Sequence, residues 1–152
     1  MLDVSLTRQE MQGFCSTAAS AYDGATLEHE ATAKRRALAA LARQPDERLF
    51  EVAFGTGFSF TKQVKASGAA NAVAVDLSPG MLATARAALA EAGVERPPLE
   101  LADARMLTFA DESFDCVFNS SMIDLIPADE IATVVPSSGA CCGAAAGSRW
   151  LT

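Results

Sequence analysis

From Leu49 onward the chain alternates short apolar runs with stretches of helical period. Leu49 to Ala53 reads as a buried strand. Asn71 to Asp76 reads as a second, valine-rich and without a polar residue between Ala72 and Val75. A strand apolar on both faces belongs in the middle of a parallel sheet. Gly57 to about Ser67 is predicted as the helix leaving the first strand, stopped by Gly68. The next helix has clear punctuation: Ser78 as N-cap, Pro79 in the first turn, and Gly93 at the end. Its Met81, Leu82, Ala85 and Leu89 form one apolar stripe to pack on the sheet. Pro97-Pro98 opens a short third strand, Leu99 to Ala102, which leads to Asp103. Phe109 to Ser113 reads as a loop, and Asp115 to Asn119 as a fourth strand. Ile123 to Val135 begins another helix, with Pro127 in its first turn. Upstream, Thr26 to about Arg43 has helical period through Leu27, Ala31, Leu38 and Leu41, and Gln44-Pro45-Asp46-Glu47 breaks it. Residues 1 to 24 carry no strong period. Alternating strands and helices imply right-handed crossovers and a parallel sheet with helices on both faces.

Composition narrows the class. The 152 residues allow one domain with a real core, and half of them are hydrophobic. A net charge of −7 argues against a nucleic-acid surface, which needs a concentrated basic stripe. The one basic cluster, Lys34-Arg35-Arg36, reads as a solvated helix face. No apolar run is long enough to span a bilayer, and Met1 to Ser5 lacks the parts of a secretion signal, so the expected location is cytoplasmic. Cys15, Cys116, Cys141 and Cys142 form no C-x-x-C pair, and with His29 the single histidine no metal site is expected. Cys116 reads as a buried strand residue.

The first strand runs into Gly55-Thr56-Gly57, and the second ends on Asp76. This is the first half of a nucleoside-binding unit, in which glycines admit the ligand to the backbone and an acid holds a ribose. A dinucleotide fingerprint needs a third glycine where Phe60 stands. Glu51, near the end of the strand, opposes a pyrophosphate but suits a cofactor that is phosphate-free and cationic. An NAD-linked oxidoreductase fragment is disfavoured on both counts, yet stays an alternative.

The stretch from Leu49 to Pro127 resembles the class I S-adenosylmethionine-dependent methyltransferases, nearest to the small-molecule and quinone methyltransferases. The family's acid-x-G-x-G-x-G motif is matched by Glu51-Val52-Ala53-Phe54-Gly55-Thr56-Gly57, with alanine in place of the first glycine. A positive φ is less comfortable for that alanine. The second acid matches Asp76 in Val-Ala-Val-Asp-Leu-Ser-Pro-Gly-Met-Leu, and the third Asp103 in Leu-Ala-Asp-Ala. The fourth-strand pattern matches Ser113 to Asn119.

The resemblance implies a Rossmann-like, doubly wound α/β fold in three layers, incomplete after the fourth strand. It implies S-adenosyl-L-methionine as cofactor and methyl transfer to a small-molecule acceptor. Asp76 would accept from the ribose hydroxyls, and Asp103 from the adenine amino group near the Ala104 backbone. Leu77 and Met81 would pack on the adenine, although Met81 is equally well read as core. Glu51, Ala53, Gly55, Thr56 and Gly57 would line the methionine and ribose, although Glu51 has a second reading as an organiser of the loop. Asn119 would border the reacting methyl. Asp76 and Asp103 also have the simpler reading of solvated strand ends. Tyr22 could close over the cofactor, but core packing suits it better. No catalytic residue is assigned: Asp124 is the nearest candidate base, and a capping acid is the simpler reading.

The expected organisation is a methyltransferase domain over 1–135, with a helical segment 1–45 and a cofactor-binding core 46–135. After Val135 the pattern stops, and Pro136 to Ser148 has almost no large side chain. The tail 136–152 is expected to be out of frame or disordered. Reading each third base with the next two gives, by allowed codon choices, E-F-R-R-V-L-R-R-G-G-R-L-A-V-V-D. That string holds the helix end, glycine turn and apolar strand that the family has there. Adjacent Cys141 and Cys142 force leucine in that frame, so the match is not wholly free. A chain ending there leaves the fourth strand as an edge and points to marginal stability. A non-catalytic product that binds cofactor or a partner chain is therefore the other alternative.

Overall fold

The computed structural model describes residues 7–94, 98–120, 122, 126, 130, 131, 134 and 149–151, by backbone alone for 20–29, 31 and 149–151. Its first element is longer than the apolar period predicts. Helix α1 runs Arg8–Leu41, 34 residues, beginning well before Thr26. A capping box starts it: the Thr7 hydroxyl accepts from the Glu10 N–H, and the Glu10 carboxylate accepts from the Thr7 N–H at 2.8 Å. This half has no apolar stripe because its contacts are polar. Gln12 Nε2 donates to the Leu77 carbonyl at 3.0 Å, and the Ser16 and Ser78 hydroxyls lie 2.9 Å apart. Among the described side chains, its last turns bring Leu41, Ala37 and Leu38 to the core, and Ala19 is buried further up.

Four strands follow where the apolar runs place them: β1 Leu49–Val52, β2 Ala72–Asp76, β3 Leu99–Leu101 and β4 Cys116–Asn119. They pair in parallel in the order β3-β2-β1-β4, with helix α2, Phe58–Ser67, and helix α3, Pro79–Glu91, in the first two crossovers. The order reverses direction after β3, so β1 and β4 are neighbours at the switch point of this Rossmann-like α/β sheet.

The two sheet faces bury separate clusters. Leu49, Ala74 and Phe118 pack with Leu41, Phe60 and Leu89 from the three helices. Phe50, Val52, Val75 and Val117 pack on the other face with Met122 and Val134. Part of that second face is covered by rings: Phe50 stacks on Phe114 at 4.9 Å, and Phe109 meets both edge-on. Residues 130, 131 and 134 are helical, as expected for the segment after β4.

β4 is not the edge of the sheet. Strand β5, Arg149–Leu151, pairs parallel to it, with Cys116 opposite Arg149 and Phe118 opposite Leu151. The expectation of an open fourth strand is corrected here, and among the described residues the sheet has five strands. A backbone ladder asks only for an extended segment, so the tail can fill it without an alternating side-chain pattern. Asp124, Pro127, Cys141, Cys142 and residues 135–148 lie outside the described residues. Among the described residues, no helix is long and apolar enough to cross a membrane.

Candidate functional site: a cavity over the strand ends

The turn after β1 forces three residues into left-handed backbone: Ala53 at φ 57°, Gly55 at φ 58° and Gly57 at φ 85°. Such a conformation costs an L-residue like Ala53 about 1–2 kcal/mol and costs glycine nothing. The turn brings the Gly55 N–H to Asp76 Oδ2 at 2.9 Å, while the Ser78 N–H reaches Asp76 Oδ1 at 2.9 Å. Asp76 is 8% exposed. Burial pushes its carboxyl up, and the backbone donors of Ser78, Gly55 and Leu77 oppose that. An ionised carboxylate has about four acceptor sites, so these backbone donors leave it capacity for a ligand donor.

A cavity of about 200 Å³ opens beside this carboxylate. Glu51, Ala53, Gly55, Thr56, Asp76, Leu77, Asp103 and Ala104 reach its wall from the ends of β1, β2 and β3, and Met81 from the first turn of α3. Two of the residues singled out from the sequence do not line it. Gly57 caps α2 at φ 85°, and a Cβ there would stand 2.9 Å from the Ala85 Cβ. Its glycine serves the approach of α2 to α3. Asn119 is 2% exposed at the end of β4, accepts from the Met122 N–H, and leaves its Nδ2 without a partner. Its neighbour Ser120, just after β4, stands on the wall instead.

Two acids differ sharply in their surroundings. Glu51 is 2% exposed, and burial pushes its carboxyl up to about 8, opposed by the Gln63 side chain and the Lys34 charge. Neither Glu51 Oε2 nor Gln63 Nε2 closes a hydrogen bond of ordinary geometry. Asp103 is saturated instead. Arg8 Nε lies 3.0 Å and Arg105 Nη2 2.9 Å from its Oδ2, and Arg105 also bonds Glu130. Burial pushes the Asp103 carboxyl up, but the Arg105 hydrogen bonds and the charges of Arg105 and Arg8 hold it below the usual range.

The pattern of the sequence did not mark the wall contributed by α1. Met11, Cys15 and Lys34 all line the cavity, with Arg8 at its end. Lys34 corrects the reading of Lys34-Arg35-Arg36 as a solvated face: Arg35 and Arg36 are exposed, while the Lys34 side chain is 15% exposed and pairs with Glu30 at 2.8 Å. The Thr7-x-x-Glu10 spacing was the available signal that α1 begins early enough to reach the site. The Tyr22 side chain lies outside the described residues.

These residues fit a nucleoside cofactor that bears a cation: a buried carboxylate, a second buried acid with one oxygen unpartnered, a glycine turn and apolar walls at Leu77 and Met81. Comparison with known proteins agrees. A family model described as "Methyltransferase domain" matches residues 49–139. The chain is 38% identical over 101 residues to a phosphatidylethanolamine N-methyltransferase of Cereibacter sphaeroides, covering 63% of this chain and 46% of that one. It is 44% identical over 85 residues to a demethylmenaquinone methyltransferase of Mycobacterium sp. (strain KMS), covering 55% and 33%. The chain thus spans less than half the length of these relatives. Among solved structures, magnesium protoporphyrin IX methyltransferase from Synechocystis PCC 6803 with bound SAH superposes at TM-score 0.71, with 14% identity and 86% and 65% coverage. An S-adenosylmethionine dependent methyltransferase from Mesorhizobium loti superposes at 0.56, with 27% identity and 70% and 47% coverage. The cofactor indicated by the family and these structures is S-adenosylmethionine. With the family model matching well over half of its 152 residues, this chain belongs to the methyltransferase-domain family.

Proposed function

We propose that this chain binds S-adenosylmethionine in the cavity over its strand ends and moves the methyl group to a small-molecule acceptor. The observation that carries this reading is Asp76, a buried carboxylate at the end of β2 on the cavity wall, held in place by the Gly55 and Ser78 N–H groups. A ribose diol donates to such a group through charge-assisted hydrogen bonds. Gly55 fixes that carboxylate and keeps the turn open, since nothing lies within 4 Å of where a Cβ would stand. Leu77 and Met81 supply apolar wall for a flat base. Asp103 can accept from the base only in competition with Arg8 and Arg105, so its share in binding is smaller than that of Asp76.

When bound, the cofactor supplies an electrophilic methyl on a sulfonium that leaves readily. The protein's part is to hold the acceptor in line and to exclude water, which can lower a barrier by several kcal/mol without a general base. Ser120 and Met122 are on the wall at the β4 end, where an acceptor would approach. The relatives, phosphatidylethanolamine and demethylmenaquinone methyltransferases by name, support a small-molecule acceptor rather than a nucleic acid. The cytoplasmic setting expected from the sequence is part of this proposal, as is an out-of-frame tail across 136–152.

Calorimetric titration of the 152-residue chain with S-adenosylhomocysteine and with NAD tests the reading. It predicts saturable binding of the first and none of the second. NAD binding alone would overturn it. Phe60, fully buried where a dinucleotide site needs glycine, supports the expected order.

A further inference from the structure

Asp103 stands on the cavity wall just after β3, and arginines of the same chain already occupy it. Its Oδ1 accepts from the Arg105 N–H and from Arg105 Nε, both at 3.0 Å. Its Oδ2 accepts from Arg105 Nη2 at 2.9 Å and lies 3.0 Å from Arg8 Nε. An ionised carboxylate has about four acceptor sites, so a ligand donor can enter only where one of these partners leaves. The two arginines are not held alike. Arg105 belongs to the same loop, bonds both carboxylate oxygens, is 24% exposed and also pairs with Glu130. Arg8 comes from the first turn of α1, approaches Oδ2 alone and is 55% exposed. The docking of α1 does not depend on it, because Gln12 on the Leu77 carbonyl and Ser16 on Ser78 hold the turns that follow. Glu10, the acid nearest to it in sequence, is engaged with Thr7 in the capping box.

We propose that Arg8 is a specificity-determining residue for the base of the nucleoside: it competes with the ligand for Asp103, and its release lets that carboxylate select an amine-bearing base. This rests on the S-adenosylmethionine reading and adds to it a residue of α1 that weakens cofactor binding rather than supporting it. An exocyclic amine donates to the freed Oδ2, whereas a carbonyl in its place sets two acceptors against each other. With Arg8 present Oδ2 is occupied, and the preference for the amine is blunted. An exposed ion pair is worth little, so a ligand can win this competition. Arg105 cannot take the same part, since it is bound at both ends, to Asp103 and to Glu130.

The test compares S-adenosylhomocysteine with S-inosylhomocysteine, whose base carries a carbonyl where the first has an amine. Each is titrated by calorimetry into the wild-type chain, Arg8→Met, Arg8→Lys, Asp103→Asn and the double variant. Arg8→Met is expected to bind S-adenosylhomocysteine about two- to fivefold more tightly, the worth of one exposed ion pair. Its affinity for S-inosylhomocysteine should not rise, and retained binding of that ligand also reports a folded variant. Arg8→Lys keeps the cation and should stay close to wild type. In the Asp103→Asn background Arg8→Met should change neither affinity, which a merely structural role of Arg8 would not produce. Added salt should strengthen S-adenosylhomocysteine binding more in the wild type than in Arg8→Met, because it screens the exposed pair. Unchanged or weaker S-adenosylhomocysteine affinity in Arg8→Met, or equal strengthening of both ligands, overturns the proposal and leaves the cofactor reading standing. Failure of S-adenosylhomocysteine to bind the wild-type chain overturns the cofactor reading and the proposal with it.

Discussion

The Gly55 N–H donates to Asp76 Oδ2 at 2.9 Å, tying the turn after β1 to the end of β2. Two parallel neighbours are thereby locked at the end where the cavity opens, and the acid is oriented before any ligand arrives. A group fixed in this way loses little conformational freedom on binding, which is how preorganisation strengthens affinity.

The same turn carries strain at Ala53. Its φ of 57° is tolerated rather than preferred. Ala53→Gly removes about 1–2 kcal/mol of left-handed strain but adds unfolded-state freedom of about 0.4–1 kcal/mol. The predicted net gain is up to about 1.6 kcal/mol, read as a higher urea midpoint. A destabilised variant would contradict the strain assignment.

Gly57 and Gly80 set how closely helices approach. A Cβ at Gly57 would meet Ala85 Cβ at 2.9 Å, and one at Gly80 would meet the Ser16 carbonyl oxygen of α1 at 2.6 Å. The obstacle at Gly80 is backbone, which cannot swing aside as a side chain can. Gly80→Ala is predicted to cost about 1–3 kcal/mol through overpacking. Gly57→Ala adds strain at φ 85° to its clash and should cost at least as much. Chemical denaturation measures both, and a neutral Gly80→Ala would show that α1 does not lie this close.

Much of this was legible in the sequence, for physical reasons that differ by element. Strands β1, β2 and β4 are apolar on both faces, and that signal survives without any partner being known. The acids at 51, 76 and 103 reach the cavity because strand ends place them there. The first half of α1 was illegible because Gln12 and Ser16 dock it by hydrogen bonds, which leave no period. Lys34 was read as solvated because a basic run on a helix has no mark of which member turns inward. β5 was missed because its pairing is a backbone matter, and the chain before it has no strand pattern.

Glu51 makes stability depend on pH. Its folded carboxyl titrates at about 8, above its ordinary value of 4.5, so the folded state holds its proton more tightly than the unfolded one. The resulting stabilisation is complete below about 4.5 and is lost as pH rises through about 8. Thermal melts of the unliganded chain should fall between pH 5 and pH 9, and Glu51→Gln should flatten that fall. An identical slope in the variant would show that other groups cause it.

The most direct measurement is calorimetric titration of S-adenosylhomocysteine into the wild-type chain and Asp76→Asn. The amide keeps one carbonyl oxygen for a backbone donor but can no longer accept both ribose hydroxyls as an anion. Affinity is predicted to fall at least tenfold, about 1.4 kcal/mol or more, while the variant still melts cooperatively. Unchanged affinity in Asp76→Asn would contradict the claim that this carboxylate holds the nucleoside.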